Sequence, residues 1–315
     1  MTGTELVREL RTCLSSEMPL PGKGKTADRH LRFMEFGRRN LSFARLAEAH
    51  FDAVAILAEA NRSPKPSAIY GVWASETPGN HLALSRSPKG LLVNGEKMFC
   101  SGASLIDRAL VTVTHPEHRL VDIDMRAAGN TVFVDGSQWK TEAFRETNTA
   151  TIRFRNMEIS ENDVIGNVGW YLERPGFWHG ACGPAACWAG GAEGLMDYAL
   201  AQTRSDPHTV AHIGAMHSSI WALRAYLQAS GEEIDKDPAD KLNGRIRALA
   251  VRHLVEQTCS DVLRRFARVY GPHALAMDER SVRRYQELEL YLRQSHAERD
   301  LESLGNLVRN QHGDV

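Results

Sequence analysis

The segment Gly95–Ser104 contains side chains that could bind a flat ring. It follows an apolar run that ends at Asn94-Gly95, a dipeptide typical of two-residue hairpin turns, so it is predicted to be the return strand of a hairpin. Side chains alternate between the two faces of a strand, which would place Lys97, Phe99 and Ser101 on one face. An aromatic ring and a hydroxyl on one face indicate a surface for a planar ligand. The alternative is an inward core residue beside a turn hydroxyl.

Two other groups of ionisable residues have side chains that could do chemistry. His208 and His212 have the i,i+4 spacing of helical metal ligands, and His217 is near. No Glu lies between the first two and no third ligand follows at a known spacing, so no metal site is predicted. The stretch Arg293–Asp300 is dense in charge, and its spacing alone is that of a charged helix face with i,i+3 and i,i+4 pairs.

The composition of the 315-residue chain limits the classes of protein to consider. Its net charge of −1 gives no support for nucleic acid or a membrane surface as a partner. Its start carries charge where a signal peptide would need an apolar core, and no apolar run is long enough to cross a bilayer. Five cysteines in a chain of this size suggest reduced thiols. The sequence therefore predicts a cytoplasmic protein that has no nucleic-acid or membrane partner.

The elements that must position these residues change character twice along the chain. Helical periodicity runs from Leu41 to Ala58 and stops at the breaker cluster Asn61–Pro66. From about Ala68 to Ile165, short strands punctuated by turn dipeptides predict an antiparallel sandwich or barrel. From about Gly169 the pattern is helical again. The domains expected from these changes are a helical region over 1–67, a β domain over 68–166 and a helical bundle over 167–315.

Three features of the carboxyl-terminal region indicate how its helices pack. Gly180–Gly194 is rich in small residues, so this helix is expected to approach its neighbours closely. An apolar stripe runs from Ile246 to Phe266 and is predicted to stop at Gly271-Pro272. A last helix is predicted from Ser281 to Leu304.

Three segments, in this order along the chain, resemble motifs of the acyl-CoA dehydrogenase superfamily. They are GVWASETPG (Gly71–Gly79), KMFCSGA (Lys97–Ala103) and FRNMEISENDVIG (Phe154–Gly166). The resemblance covers about Gly37 to Gly305. It implies the α+β fold of that family, which has an N-terminal helical domain, a central antiparallel β domain and a C-terminal four-helix bundle. The N-terminal helical region is shorter here than in the family.

The resemblance implies FAD as the cofactor. It assigns to FAD the residues Trp73, Ser75, Thr77, Phe99, Ser101 and Gly271. Phe99 stands where the family has Trp and would lie against the ring system. Ser101 stands where the family has Thr and would donate a hydrogen bond to a ring nitrogen. Gly271 is what remains of a glycine-rich segment that meets a partner's FAD.

The catalytic base of the family has no direct counterpart. In most members a Glu follows the last long helix of the bundle, and here that position falls at or next to Arg293. Other members carry the Glu on the first bundle helix, where Cys182–Ala186 contains no carboxylate. His296 and Glu298 are the nearest substitutes, with Glu193 and His179 as further candidates. The catalytic residues expected from the resemblance are thus Glu298, His296 and Arg293.

The resemblance implies an FAD-dependent oxidoreductase that acts on an acyl thioester borne by CoA or a carrier protein. It further implies a homodimer or homotetramer, with an electron-transfer flavoprotein as a possible acceptor. The missing Glu leaves two alternatives open. One is a flavin oxidase or monooxygenase of the same fold, with His296 in place of Glu. The other is a catalytically degenerate subunit that pairs with an intact paralogue.

Overall fold

The computed structural model describes residues 2–14 and 17–313, which divide into two compact units. The first unit comprises residues up to 17 and residues 45–177, and the second comprises residues 18–44 and the residues from 178 onward. All strands of the described chain lie in the first unit, and the long helices of the carboxyl-terminal half lie in the second. The predicted α+β class, with β structure between helical regions, is confirmed.

The strands of the first unit form two four-stranded sheets. They are β1 (Tyr70–Trp73), β2 (Leu82–Ser87), β3 (Gly90–Cys100), β4 (Arg108–Val113), β5 (Arg119–Asp124), β6 (Val132–Asp135), β7 (Ala150–Ile159) and β8 (Val164–Ile165). The sheet orders are β1-β4-β5-β8 and β2-β3-β7-β6. All paired neighbours are antiparallel except β1 and β4, which run parallel. A parallel pair needs a long crossover, and the β2–β3 hairpin supplies it here.

The hairpin predicted at Asn94-Gly95 is wrong. Strand β3 continues through this dipeptide, and the reversal of chain direction lies earlier, between Ser87 and Gly90. The pairing of β3 with β7 shifts register between Val93 and Gly95, as at a β-bulge. Gly95 has φ +118°, and a Cβ there would collide with the His81 carbonyl oxygen. The Asn94-Gly95 dipeptide therefore does indicate a position that requires glycine, but this position lies at a bulge instead of a turn.

Helices precede and follow the strands along the chain. They are α1 (Gly3–Cys13), α2 (Thr26–Arg39), α3 (Leu41–Glu59), α4 (Trp170–Glu173), α5 (Gly176–Gly180), α6 (Cys182–Leu200), α7 (Pro207–Lys236), α8 (Lys241–Ala276), α9 (Glu279–Leu292) and α10 (Glu298–Gly313). The helix predicted to begin at Leu41 is confirmed as α3. In the first unit, Ile56 and Leu57 of α3 share a buried cluster with Leu110 and Leu120 of the sheet. Among the described helices, none has an apolar stretch of the length that a bilayer requires.

In the second unit, α2 and α6 cross at glycines. A Cβ on Gly37 of α2 would collide with the Cys187 carbonyl oxygen, and a Cβ on Gly190 of α6 would collide with the Met34 carbonyl oxygen. The close approach expected of the small-residue helix is thus confirmed. Two backbones in direct contact leave no room for even one methyl group on either side.

Two helix ends differ from the predictions. Gly271 adopts φ +58° but only kinks α8, which continues through Pro272 to Ala276. The helix predicted over 281–304 is instead interrupted. α9 ends at Leu292, Ala297 adopts φ +46°, and α10 then runs past 305 to 313. The Asp300 carboxylate accepts a hydrogen bond from the His296 main-chain N–H at 3.1 Å, which stabilises the break just before α10 begins.

Two buried histidines couple the stability of the units to pH. His30 of α2 is 1% exposed and donates from Nδ1 to the Leu227 carbonyl oxygen at 3.0 Å. His50 of α3 is 5% exposed and accepts at Nδ1 from the Tyr70 main-chain N–H at 3.2 Å. Burial lowers the pKa of each to about 4, because the imidazolium form would lose its hydration.

We expect each histidine to reduce the free energy of unfolding by about 2 kcal/mol between pH 7 and pH 5. In that window the unfolded chain binds a proton on each histidine and the folded chain does not, so stability falls as the pH falls. Urea unfolding at pH 7, 6 and 5 measures the slope. His30→Gln should flatten the slope of the second unit, whereas replacing the exposed His217 by Gln serves as the control. An unchanged slope in His30→Gln would refute the assignment.

Candidate functional site

The ends of β1 and β3 meet in the first unit, so the structure brings together two of the segments singled out in the sequence. The Trp73 indole N–H donates to the Ser101 carbonyl oxygen at 3.0 Å. The Lys97 ammonium donates to a Glu76 carboxylate oxygen at 2.6 Å. These contacts fix the loop that follows β1 against the end of β3.

Lys97 is the anchor of this arrangement. Its side chain is 1% exposed, and its Nζ also donates to the carbonyl oxygen and the hydroxyl of Thr112, at 3.0 and 2.7 Å. Burial lowers the pKa of Lys97, and the hydrogen bond and charge of Glu76 oppose that shift. All three ammonium donors thus have acceptors. Sequence analysis placed Lys97 on the ligand-facing side, but its side chain is a buried structural tie.

Phe99 lies at an irregularity in β3 that breaks the expected alternation. The register with β7 shifts between Lys97 and Cys100, and Phe99 adopts φ +59°. Its ring is therefore 50% exposed, while Lys97 and Cys100 on either side are buried. Lys97 and Phe99 do not share a face, because the bulge rotates Phe99 out of the strand pattern. The result is an exposed aromatic ring in a conformation unusual for a residue with a Cβ.

The loop after β1 presents main-chain donors. In the described part of the chain, no protein group accepts a hydrogen bond from the main-chain N–H of Ser75 or Glu76, whereas Thr77 pairs with Asn80 in an antiparallel β-bridge. Ser75 is exposed and Thr77 is half-buried, whereas Trp73 is 2% exposed. Trp73 can therefore contribute its main chain but not its ring to a ligand. An exposed ring and two adjacent free donors suit a planar molecule that has one apolar face and one polar edge.

Ser101 is not a free hydroxyl. Arg45 of α3 donates from Nε to the Ser101 hydroxyl at 2.7 Å, and the Arg45 guanidinium lies 4.9 Å from the centre of the Phe144 ring. Ser101 Oγ is also 3.2 Å from Thr149 Oγ1. Sequence analysis did not single out Arg45 or Thr149, because both lie far from Ser101 along the chain and neither belongs to a matched motif.

The expected catalytic residues lie in the exposed linker between α9 and α10 of the second unit. Arg293 is 3.4 Å from a Glu256 carboxylate oxygen and 3.6 Å from one of Glu289. His296 Nδ1 is 3.3 Å from an Asp300 oxygen. Glu298 is the exposed first residue of α10. The linker places these side chains near one another along the chain, but their ionic partners are Glu256, Glu289 and Asp300 of the helices that flank or pack against it.

The other carboxylate candidate is held by arginines. Glu193 of α6 is 8% exposed. Both of its oxygens accept from Arg224 Nη2, at 2.6 and 2.7 Å, and Arg38 Nη1 lies 3.5 Å away. His179 hydrogen-bonds through Nε2 to the Pro238 carbonyl oxygen at 2.9 Å. Both residues serve contacts within the second unit.

Two further expectations concern Gly271 and metal. Gly271 lies at the kink of α8, where an added Cβ would meet no atom within 4 Å. Its predicted role toward a partner's cofactor stays a prediction. Among the described residues, no group of three or more His, Cys, Asp or Glu side chains could hold a metal ion. His212 instead lies 3.5 Å from Arg265 Nη1.

Comparisons with known proteins locate the fold. No protein-family model and no curated protein matches the sequence. The structure resembles TdsC, a dibenzothiophene monooxygenase from Paenibacillus sp. A11-2 that has also been solved with FMN, with a TM-score of 0.76 and 15% identity over 98% of this chain and 96% of that chain. It resembles the methanesulfinate monooxygenase MsuC from Pseudomonas fluorescens, with a TM-score of 0.73 and 16% identity over 98% and 96% of the chains.

A third similar structure is an acyl-CoA dehydrogenase from Slackia heliotrinireducens, with a TM-score of 0.66 and 16% identity over 99% of this chain and 97% of that chain. At such identities the likeness establishes the fold alone. The chain has the acyl-CoA dehydrogenase fold, as its sequence motifs implied.

Proposed function

We propose that the chain binds a flavin where β1 and β3 end, and that it is a flavin-dependent oxidoreductase. The observation that carries the proposal is the half-exposed Phe99 ring near the end of β3, together with the free main-chain donors of Ser75 and Glu76 in the loop that the Lys97–Glu76 contact holds to that strand. A flavin ring has an apolar face and a pyrimidine edge rich in hydrogen-bond acceptors, which matches this combination. When bound, a flavin supplies hydride transfer and oxygen chemistry that amino-acid side chains lack.

A cavity in the same unit supports a phosphate-bearing ligand. It has a volume of about 320 Å³ and includes Thr149, which is a neighbour of Ser101. Its wall also carries Lys140, Trp139 and Arg145, and Arg145 is ion-paired with Glu142 of the same wall. Cations and an aromatic ring suit the phosphate and the heterocycle of a nucleotide. FAD, which the motifs imply, and FMN, with which TdsC was solved, are both candidates.

For the reaction, we favour oxygen-dependent monooxygenase or oxidase chemistry over dehydrogenation of an acyl thioester. Dehydrogenation needs a base, and the linker position where the motifs would place that base holds Arg293, which is ion-paired with Glu256 and Glu289. TdsC and MsuC, which share the fold, are named monooxygenases. An acyl thioester substrate and an electron-transfer flavoprotein partner would belong to dehydrogenation, the reaction that we favour less.

Flavin binding is the first test. Phe99→Ala should weaken binding of FAD or FMN about tenfold, because the exposed ring provides the apolar contact. Phe133→Ala is the matched control, since Phe133 is 43% exposed in the same unit but lies on β6. Quenching of flavin fluorescence during titration gives both dissociation constants. If the wild-type protein binds neither flavin, the proposed function is lost.

The reaction class is tested by anaerobic mixing of the flavin-loaded protein with a panel of acyl-CoAs. We expect slow or absent bleaching of the flavin in the wild type. Rapid bleaching by the wild type would favour dehydrogenation instead.

A further inference from the structure

The hydroxyls of Ser101, Thr149 and Thr147 form a hydrogen-bond chain, and the direction of each bond follows from the number of donors and acceptors. A hydroxyl has one proton to donate and two lone pairs to accept. Thr147 Oγ1 lies 2.8 Å from the Phe144 carbonyl oxygen, which cannot donate, so Thr147 gives its proton there. Thr147 and Thr149 are 2.8 Å apart, and the proton between them must therefore come from Thr149. By the same count, the proton between Ser101 and Thr149, 3.2 Å apart, comes from Ser101.

Arg45 closes the other end of this chain. A guanidinium has donors only and stays protonated, so the 2.7 Å contact is a hydrogen bond from Arg45 Nε to Ser101. Ser101 thus receives one hydrogen bond from Arg45 and directs its own proton to Thr149. What remains toward any ligand is a lone pair. The Arg45 guanidinium can only donate and the Phe144 carbonyl oxygen can only accept. The hydrogen bonds between these two groups therefore all point the same way.

We propose that Ser101 accepts, and does not donate, the hydrogen bond of a bound flavin ring, and that Arg45 is the positioning residue that sets this direction. The proposal rests on the proposed function, because the ligand is the flavin. It reverses the role expected of Ser101 from the sequence. A reduced flavin ring carries an N–H where the oxidised ring carries a bare nitrogen. An acceptor at Ser101 therefore favours the reduced ring, and the Arg45 charge acts in the same sense by stabilising added negative charge.

A substitution at Thr147 tests the direction of these hydrogen bonds without changing Ser101, the residue proposed to contact the flavin ring. Thr147→Val removes the acceptor for the Thr149 proton, so Thr149 can donate to Ser101 and free the Ser101 proton for the ligand. We expect the ratio of affinities for reduced and oxidised flavin to fall about tenfold, equal to about 30 mV for a two-electron couple. Thr147→Ser keeps the hydroxyl and should retain the wild-type potential. Equilibration with a redox dye of known potential measures each variant loaded with FAD or FMN.

Arg45 is tested by the pair Arg45→Met and Arg45→Lys. Arg45→Met should lower the reduction potential, and Arg45→Lys, which keeps a charged donor, should remain closer to the wild type. A residue with a structural role alone would lower the unfolding temperature in both variants and leave the potential of the bound flavin unchanged.

The outcomes separate this inference from the proposed function. If the wild type binds flavin and Thr147→Val has the same potential, the direction of the chain is refuted while the function stands. If neither flavin binds, the proposed function fails and so does the role of Ser101 toward the ring. The hydrogen-bond chain from Arg45 to Thr147 is then tested in the flavin-free protein. Unfolding temperatures of Arg45→Met, Thr147→Val and the double variant should be non-additive, and additive shifts would overturn it.

Discussion

Gly190→Ala is expected to lower the free energy of unfolding of the second unit by about 3 kcal/mol, the upper end for overpacking a core. The added methyl group would collide with the Met34 carbonyl oxygen, and the Arg38 main-chain nitrogen would lie 2.7 Å from it. Both obstacles are backbone atoms of α2, so no rotation of a side chain can relieve the clash. The helices must separate, which also loosens the contact of Gly37 with α6.

Gly214→Ala is the matched control for this variant. Gly214 lies in the interior of α7, where an added Cβ meets no atom within 4 Å. The higher helix propensity of alanine should then raise stability by about 0.5–1 kcal/mol. Urea unfolding followed by circular dichroism compares the two variants directly. Equal stability changes of the same sign would show that α2 and α6 do not meet at Gly190.

Lys97→Met is expected to cost about 3 kcal/mol of stability, and to weaken flavin binding at least tenfold, because it removes a buried ammonium group together with all three of its hydrogen bonds. The loss falls mainly on Thr112, whose buried carbonyl and hydroxyl oxygens lose their donor. Glu76 can regain water, since its side chain is 40% exposed. Without Lys97, the loop at Ser75 loses its ionic contact with β3 and keeps the Trp73–Ser101 hydrogen bond and the bond from the Thr112 hydroxyl to Glu76.

Two further variants sharpen this test. Lys89→Met removes a lysine from the exposed turn between β2 and β3, so it should leave both stability and flavin binding unchanged. Adding Glu76→Gln to Lys97→Met should recover part of the stability, because no carboxylate is then left beside Thr112. A Lys97→Met protein with wild-type unfolding and wild-type flavin affinity would rule out the anchoring role.

The features that could be predicted from the sequence are those set by local pattern. The change from helical to alternating periodicity located the β region, and the small residues around Gly190 indicated a close helix contact that the structure confirms. The segments at the ends of β1 and β3 were found because their motifs are continuous in sequence. In each case the residues that carry the signal are neighbours along the chain.

The features that were missed depend on partners far away in sequence. Asn94-Gly95 favours a turn locally, but β3 pairs with both β2 and β7 across this dipeptide, so the strand continues and the dipeptide lies at a bulge. The buried state of Lys97 requires Glu76 and Thr112 to converge on it. Arg45 reaches Ser101 only because α3 packs on the sheet. Local residue propensities do not predict such contacts between distant parts of the sequence.

The backbone of Phe99 has a consequence for how this chain could change under selection. An aromatic residue with φ +59° and a half-exposed ring costs about 1 kcal/mol or more, and neither hydrophobic burial nor strand propensity favours it there. Glycine or asparagine would adopt that backbone more easily. A library selected for thermal resistance alone should therefore replace Phe99, while one selected for ligand binding should keep it. Position 99 is where stability and function are expected to trade off most directly in this protein.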